Sequence, residues 1–314
     1  MTVTQVVVEA FEADGLLLID KPVGFTSHDV VAKLRKILRT RRIGHTGTLD
    51  PFATGLLVIC INRATRLVQF LTAVEKEYLA TIRFGFRTDT ADLTGVRIEE
   101  DEGRQVETLG KEELEAAIGR MLGPQLQTPP MYSAKKVAGK KLYELARKGE
   151  EIERKAVEIE IKEFELLSFE AGQEAVAKVR LVCSSGTYVR VIAEDLGRML
   201  GVGAHLTELR RTRVGKFLIE GAIGLEEVGK RREEGALQLE SIRNSLEMPE
   251  FEISGSECAG VFNGKAIRCK GEWRESALIK LVREPEVIAI AEYDRVNELL
   301  QPRIVFHQSL TKHE

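Results

Sequence analysis

The chain has 314 residues, enough for two hydrophobic cores rather than one. Hydrophobic residues make up 43% and charged residues 30%, which excludes an intrinsically disordered chain. The formal net charge is -3, from 46 Lys+Arg against 49 Asp+Glu, so no global excess of positive charge announces a nucleic-acid partner. Met1 to Gly15 carries Glu9, Glu12 and Asp14 and no basic residue, unlike a secretory signal. The apolar runs Leu16–Ile19 and Gly55–Ile61 are far shorter than the ~20 residues that span a bilayer. A cytoplasmic protein without membrane association is expected. Cys60, Cys183, Cys258 and Cys269 are widely spaced and form no C-x-x-C pair, so buried thiols and no metal site are expected.

In chain order, Leu16–Asp20 reads as a short buried strand that ends in the turn Lys21-Pro22-Val23-Gly24. Thr26-Ser27-His28-Asp29 has the spacing of a helix start. Val30, Val31, Leu34, Ile37 and Leu38 then recur at helical spacing. Gly44 to Gly55 holds three glycines and one proline and predicts a loop, followed by a buried strand over Leu56–Ile61. Glu77–Phe86 alternates as a strand, with Tyr78, Ala80, Ile82, Phe84 and Phe86 on one face. Leu109–Met121 predicts a helix, Val157–Phe169 and Ala175–Cys183 predict strands, and Tyr188–Leu200 predicts a helix closed by Gly201. Beyond Ser245–Pro249 come strand-like pieces at Phe251–Ile253, Lys265–Cys269, Ala277–Val282 and Val287–Tyr293.

Strands and helices mix without regular βαβ alternation. The reading is an α+β domain on a mixed, largely antiparallel sheet flanked by helices, with a small β-rich C-terminal domain. The domain boundaries are placed at 1–247 and 248–314.

Chemistry is concentrated in a few segments. Asp50 precedes Pro51 and is thereby held away from the α region, between glycines that admit a close ligand. By spacing alone, Asp50-Pro51 is an ordinary turn. Six basic residues and no acid lie in Lys33–Arg42, including Arg41 and Arg42. Met131–Lys148 holds Lys135, Lys136, Lys140, Lys141, Arg147 and Lys148 against Glu144 alone, and Arg210, Arg211, Arg213 and Lys216 form a third group. These are either solvated faces or one positive face that tracks phosphates. Neither a phosphate-binding G-x-x-x-x-G-K-[ST] loop nor a dinucleotide-binding G-x-G-x-x-G is present, and no G-x-S-x-G elbow occurs.

Taken as an ordered set, these motifs resemble the bacterial tRNA uridine-55 pseudouridine synthases over most of Gly15–Phe217. The first motif is Asp20-Lys21-Pro22 with Gly24 and Ser27. The second runs from Gly44-His45-Thr46-Gly47-Thr48-Leu49-Asp50-Pro51 through Ala53, Thr54 and Gly55. Lys76-Glu77-Tyr78 with Thr88-Asp89-Thr90 and Asp92 is similar to the third. Gln127-Thr128-Pro129-Pro130, Tyr132-Ser133-Ala134 and Lys136 resemble the family's RNA-gripping insertion, placed near 125–150. Ser185-Gly186-Thr187-Tyr188-Val189-Arg190 and Leu209-Arg210-Arg211 complete the set. Gly260-Val261-Phe262-Asn263-Gly264 in the tail is similar to the small RNA-binding PUA domain of many relatives.

The resemblance implies a pseudouridine synthase fold and a cofactor-free isomerisation of uridine-55 in the T arm of tRNA. The glycosidic bond is cleaved, the flipped base turns, and the ring rejoins through carbon 5. Asp50 would be nucleophile or base at the sugar, Arg190 the cation that keeps it ionised, and Tyr78 a ring that stacks on uracil or reaches it with its hydroxyl. His45 would fill the gap left by the base or stack on RNA, Lys21 would support the loop or a phosphate, and Tyr188 and Leu209 would line the pocket. Arg41, Arg42, Lys135, Lys136, Arg210 and Arg211 would hold the RNA backbone. The protein is expected to be a monomer. The rival readings are a non-catalytic tRNA-binding or chaperone protein on the same fold and a tRNA glycosylase that exchanges the base.

Overall fold

The structure, a computed structural model, describes residues 10–98, 105–133, 136–137, 140–141, 150 and 152–306. Its strands in chain order are β1 (Gly15–Lys21), β2 (Ile43–His45), β3 (Thr54–Ile61), β4 (Lys76–Phe84), β5 (Arg87–Thr88), β6 (Arg97–Ile98), β7 (Gly123–Gln127), β8 (Lys136–Val137) and β9 (Lys140–Lys141). They continue with β10 (Val157–Glu170), β11 (Val176–Cys183), β12 (Ala204–Val214), β13 (Phe217–Leu218), β14 (Glu250–Glu252), β15 (Ile267–Arg268), β16 (Leu278–Arg283), β17 (Glu286–Asp294) and β18 (Leu299–Val305). The helices are α1 (Ser27–Leu38), α2 (Val68–Thr72), α3 (Lys111–Arg120), α4 (Val189–Leu200), α5 (Leu225–Glu233), α6 (Ile242–Ser245) and α7 (Gly255–Phe262).

The main sheet runs β1-β3-β12-β4-β11-β10-β7, with β2 added to β3 and β13 to β12. Its pairs are antiparallel except β3 with β12, which is parallel and pairs Arg210 with Thr54 and Arg211 with Gly55. Gly55 makes that approach possible. Its φ is +97°, and a Cβ there would lie 2.3 Å from the Arg211 carbonyl oxygen.

Alternation decides which side chains share a face. On β4, Lys76, Tyr78, Ala80, Ile82 and Phe84 are buried together. Tyr78 pairs with Arg211 of β12 on one side and Leu181 of β11 on the other. Helices α3 and α4 cover this face and close one core with Leu114, Ile118, Ile192 and Leu196. Helix α1 packs with α5 against Ile19, Leu57 and Ile59. It opens on a capping box in which Thr26 and Asp29 bond each other reciprocally, as the sequence spacing predicts.

The C-terminal strands form a second sheet, ordered β14-β16-β17-β18-β15. Leu246, Val282, Val287, Ile290 and Phe306 join Leu16, Leu18, Leu56 and Val58 in one cluster, so the two sheets share a core.

The mixed sheet with flanking helices is as the sequence predicts. Strands β12 and β18 and helix α7 lie outside the elements expected from periodicity, and β12 is central in the sheet. All four cysteines are buried free thiols. Among the described residues, no helix is long and apolar enough to cross a membrane, and no group of three or more His, Cys, Asp or Glu could hold a metal ion.

Candidate active site

The segment between β2 and β3 carries Asp50 and has almost no regular structure of its own, so its shape is imposed by neighbours. Ser27, at the start of α1, accepts from the Leu49 N–H at 2.8 Å and donates to the Leu49 carbonyl at 3.3 Å. The Gly24 N–H donates to the Pro51 carbonyl at 2.8 Å. Lys21 is fully buried and donates from Nζ to the carbonyls of Pro22 (2.9 Å), Phe25 (2.7 Å) and Pro51 (3.5 Å). Arg211 donates from Nε to the Leu56 carbonyl at 2.7 Å and from Nη2 to the Gly47 carbonyl at 3.1 Å. The first motif and the end of β12 therefore grip the loop from opposite sides.

Arg190 lies in the first turn of α4 and is 4% exposed. Its Nε is 2.9 Å from Asp50 Oδ2 and its Nη2 donates to Asp50 Oδ1 at 3.4 Å, a two-pronged contact. The rest of the guanidinium donates to the Thr90 carbonyl at 2.9 Å and the Tyr132 carbonyl at 2.8 Å, and Asp92 Oδ2 lies 3.4 Å from Nη1. Asp92 is held in turn by the Thr94 N–H (2.9 Å) and the Thr90 hydroxyl (2.9 Å). Burial pushes the Asp50 carboxyl above its ordinary range and Asp92 adds to this, while Arg190 opposes the rise.

Asp50 and Arg190 border a cavity of about 240 Å³. Tyr78, Leu209, Lys76 and Arg211 line it from the sheet, and Tyr188 and Ser133 from the side. Desolvation raises the pKa of both Tyr78 and Tyr188, so both phenols are neutral at rest. Tyr188 is fixed at two points, because its N–H donates to Gln127 Oε1 at 2.8 Å and its carbonyl accepts from Gln127 Nε2 at 3.2 Å.

Of the residues singled out from sequence, Asp50, Tyr78, Tyr188, Arg190 and Leu209 converge on this cavity. Lys21 lies behind the loop, where it holds carbonyls rather than a phosphate. His45 stands outside the cavity lining, with its ring edge-to-face against His28 at 5.7 Å. Arg41 and Arg42 are exposed beyond α1. Arg210 is half-exposed and paired with Asp20 at 2.8 Å. Arg211 corrects an expectation: it is 1% exposed and bonded to loop carbonyls, so it cannot grip an RNA backbone. Alternation along β12 sends Arg210 outward and Arg211 inward. Lys135 lies outside the described residues, and Lys136 is described only as part of the backbone of β8.

Sequence reasoning assigned no separate role to Lys76, Asp92 and Gln127, although each stands in a quoted motif. Their position inside those motifs was the available signal, and only the fold shows what each touches.

Residues 35–189 match the TruB family pseudouridylate synthase (N terminal domain), and residues 190–246 match the tRNA pseudouridylate synthase B C-terminal domain. The junction falls inside the site, between Val189 and Arg190, and β12 beyond it is central in the main sheet. The chain is 45% identical over 257 residues to a tRNA pseudouridine synthase B of Symbiobacterium thermophilum, covering 82% of this chain and 84% of that one. It is 41% identical over 281 residues to the tRNA pseudouridine synthase B of Aquifex aeolicus, covering 89% and 95%. A crystal structure of a Cbf5-Nop10-Gar1 complex contains a chain of similar fold, with TM-score 0.70 and 26% identity over 93% of this chain and 85% of that one. Identity of this extent, spread over both halves of the site, means that the chain belongs to the TruB family and is a pseudouridine synthase.

Proposed function

We propose that this enzyme isomerises uridine-55 in the T arm of tRNA to pseudouridine, with Asp50 as the reacting carboxylate. The observation that carries this reading is the Asp50–Arg190 contact at 2.9 Å on the edge of a cavity lined by two tyrosines and Leu209. A pyrimidine ring has two apolar faces and a polar edge, and such a cavity offers aromatic and aliphatic walls with polar groups to one side. The names of the related enzymes support tRNA as the substrate.

Uridine in a folded T arm must leave its stack to enter, at a cost of a few kcal/mol. Once it has entered, Asp50 acts at the sugar, either as nucleophile at C1′ or as base at C2′. In both cases it must be ionised, and the guanidinium of Arg190 beside it opposes the upward push of burial on the Asp50 carboxyl. Tyr78 stacks on the ring or reaches it with its hydroxyl, and Tyr188 and Leu209 enclose it. Arg41, Arg42, Lys135, Lys136 and the outward-facing Arg210 are read as backbone contacts, and the second sheet as a PUA-like RNA-binding unit occupying 248–314.

The test is tritium release from tRNA labelled at uridine C5, with RNA mass followed in parallel. Wild-type protein should release tritium without a change of mass, and tRNA with cytidine at position 55 should give no product. Asp50→Asn should lower turnover at least roughly 10³-fold while binding tRNA with broadly unchanged affinity. A mass change would favour base exchange, binding without release would favour a non-catalytic role, and an active Asp50→Asn variant would overturn the role of Asp50.

A further inference from the structure

The buried charges beside the cavity do not balance. Among the described residues Asp50 is the one acid in its lining; Arg190 pairs with it and also lies 3.4 Å from the buried Asp92, so these three charges leave one excess negative charge at most. Two further cations line the same cavity: Lys76, 6% exposed, and Arg211, 1% exposed. They are neighbours, since a Cβ on Gly47 would lie 3.4 Å from Arg211 Nη1 and 4.0 Å from Lys76 Cε. Lys76 Nζ donates to the carbonyls of Thr72 and Val74, each at 2.5 Å, and Arg211 to those of Leu56 and Gly47. Neither forms an ion pair with a carboxylate among the described residues. Carbonyl dipoles satisfy donors but leave two like charges facing each other in a poorly solvated place, which is costly without an anion. An ammonium has three N–H donors, and two are used, so one is left for the cavity. Burial, with Arg211 beside it, pushes Lys76 down to about 8, which leaves it mostly charged at neutral pH.

The location selects the anion. Lys76 and Tyr78 are next-but-one on β4 and share a face, and Arg211 is directly opposite Tyr78. This is the sheet side of the cavity, against which a base would lie on the isomerase reading. Resting on the isomerase reading, we propose that Lys76 and Arg211 hold the negative charge of the uracil ring while it is detached from ribose. When the N1–C1′ bond breaks, its electron pair stays on N1, and the charge spreads to O2 and O4. The electron-poor C1′ is met by the Asp50 carboxylate, or relieved by loss of a C2′ proton to it. After the ring turns, C5 forms the new bond to C1′ and Asp50 is released, or returns its proton to C2′. The C5 proton then leaves and N1 takes up a proton, so no atom or electron is gained. A cationic wall stabilises the ring only between the two bonds, which is where stabilisation accelerates the reaction.

The test compares two T-arm stem-loops, carrying uridine or 5-fluorouridine at position 55, in single-turnover reactions read as loss of the starting nucleoside after digestion. Fluorine at C5 makes the ring more acidic, so its anion needs less help. Lys76→Met should slow loss of uridine by roughly 10²–10³-fold, the scale of one lost oxyanion donor, and loss of 5-fluorouridine by at least about tenfold less. Lys76→Arg should retain most of the rate on both. Equal slowing on both RNAs, or no slowing on either, overturns the proposal. Circular dichroism and stem-loop affinity check the fold, and Lys76→Gln carries the same comparison if Lys76→Met does not fold. Wild-type protein that consumes neither RNA overturns the isomerase reading itself.

Discussion

His45 Nδ1 accepts a hydrogen bond from the Gly47 N–H at 3.3 Å, which a doubly protonated ring cannot do. Burial first, then His28 and Arg211, lower its pKa to about 4. In the unfolded chain the ring takes up its proton near 6.5, so between about 6.5 and 4 the unfolded state binds more protons than the folded one. Its contribution to stability is therefore present above about 6.5 and is lost as the pH falls toward 4. The drop in Tm from pH 7 to pH 5 should be smaller in His45→Gln than in wild type, measured by differential scanning calorimetry. An equal drop would remove His45 from the acid response. At this scale the sequence was informative about identity and less about direction. Asp50, Tyr78 and Arg190 meet as their motif order implies. Arg211 was misread because a run of basic letters does not say which ones alternation turns inward. Lys21, expected to support the loop or a phosphate, donates to three carbonyls, because a lysine beside a turn has carbonyls within reach.

Elements with one apolar face were legible almost to the residue. Helix α4 begins one residue after the expected Tyr188 and closes on Gly201 in the left-handed region. Strand β12 escaped notice because its letters, AHLTELRRTRV, look like a solvated charged stretch. It is nonetheless central, and its inward polar groups are satisfied inside: His205 Nδ1 contacts the Phe86 carbonyl, and Arg211 bonds two loop carbonyls. Periodicity cannot distinguish such a strand from a basic surface without knowledge of its partners. Gln127 shows the same limit at the junction of β7 and α4. Its side chain serves the N–H and carbonyl of Tyr188, and it is 3% exposed. Gln127→Leu should cost about 1–3 kcal/mol, because a backbone donor and acceptor lose their partner. Urea unfolding followed by circular dichroism measures this, and an unchanged midpoint would show that water replaces the amide.

The two sheets are joined through side chains rather than through a hinge. Leu16, Leu18 and Leu56 of the main sheet bury themselves against Val282, Val287, Ile290 and Phe306. Lys280, 5% exposed, bonds the carbonyls of Arg243 and Leu246 across the same junction. A chain ending at Glu247 should therefore lose several kcal/mol and on the order of 10 °C in Tm, or fail to stay soluble. A truncated chain that melts like the whole protein would show that the residues up to Glu247 are self-sufficient. Composition shift marked the start of the second sheet, but no periodicity could reveal that its inner face completes the core of the first. The parallel join of β3 and β12 has a temporal meaning as well. The side chain that steadies the Asp50 loop, Arg211, is 155 positions downstream of its partner Leu56. A ribosome adding roughly 5–20 residues per second needs about 8 to 31 seconds to cover that distance. Through that interval the loop that carries Asp50 is fastened only from its upstream side, by Lys21, Gly24 and Ser27, and its grip from β12 waits until about two-thirds of the 314 residues have been made.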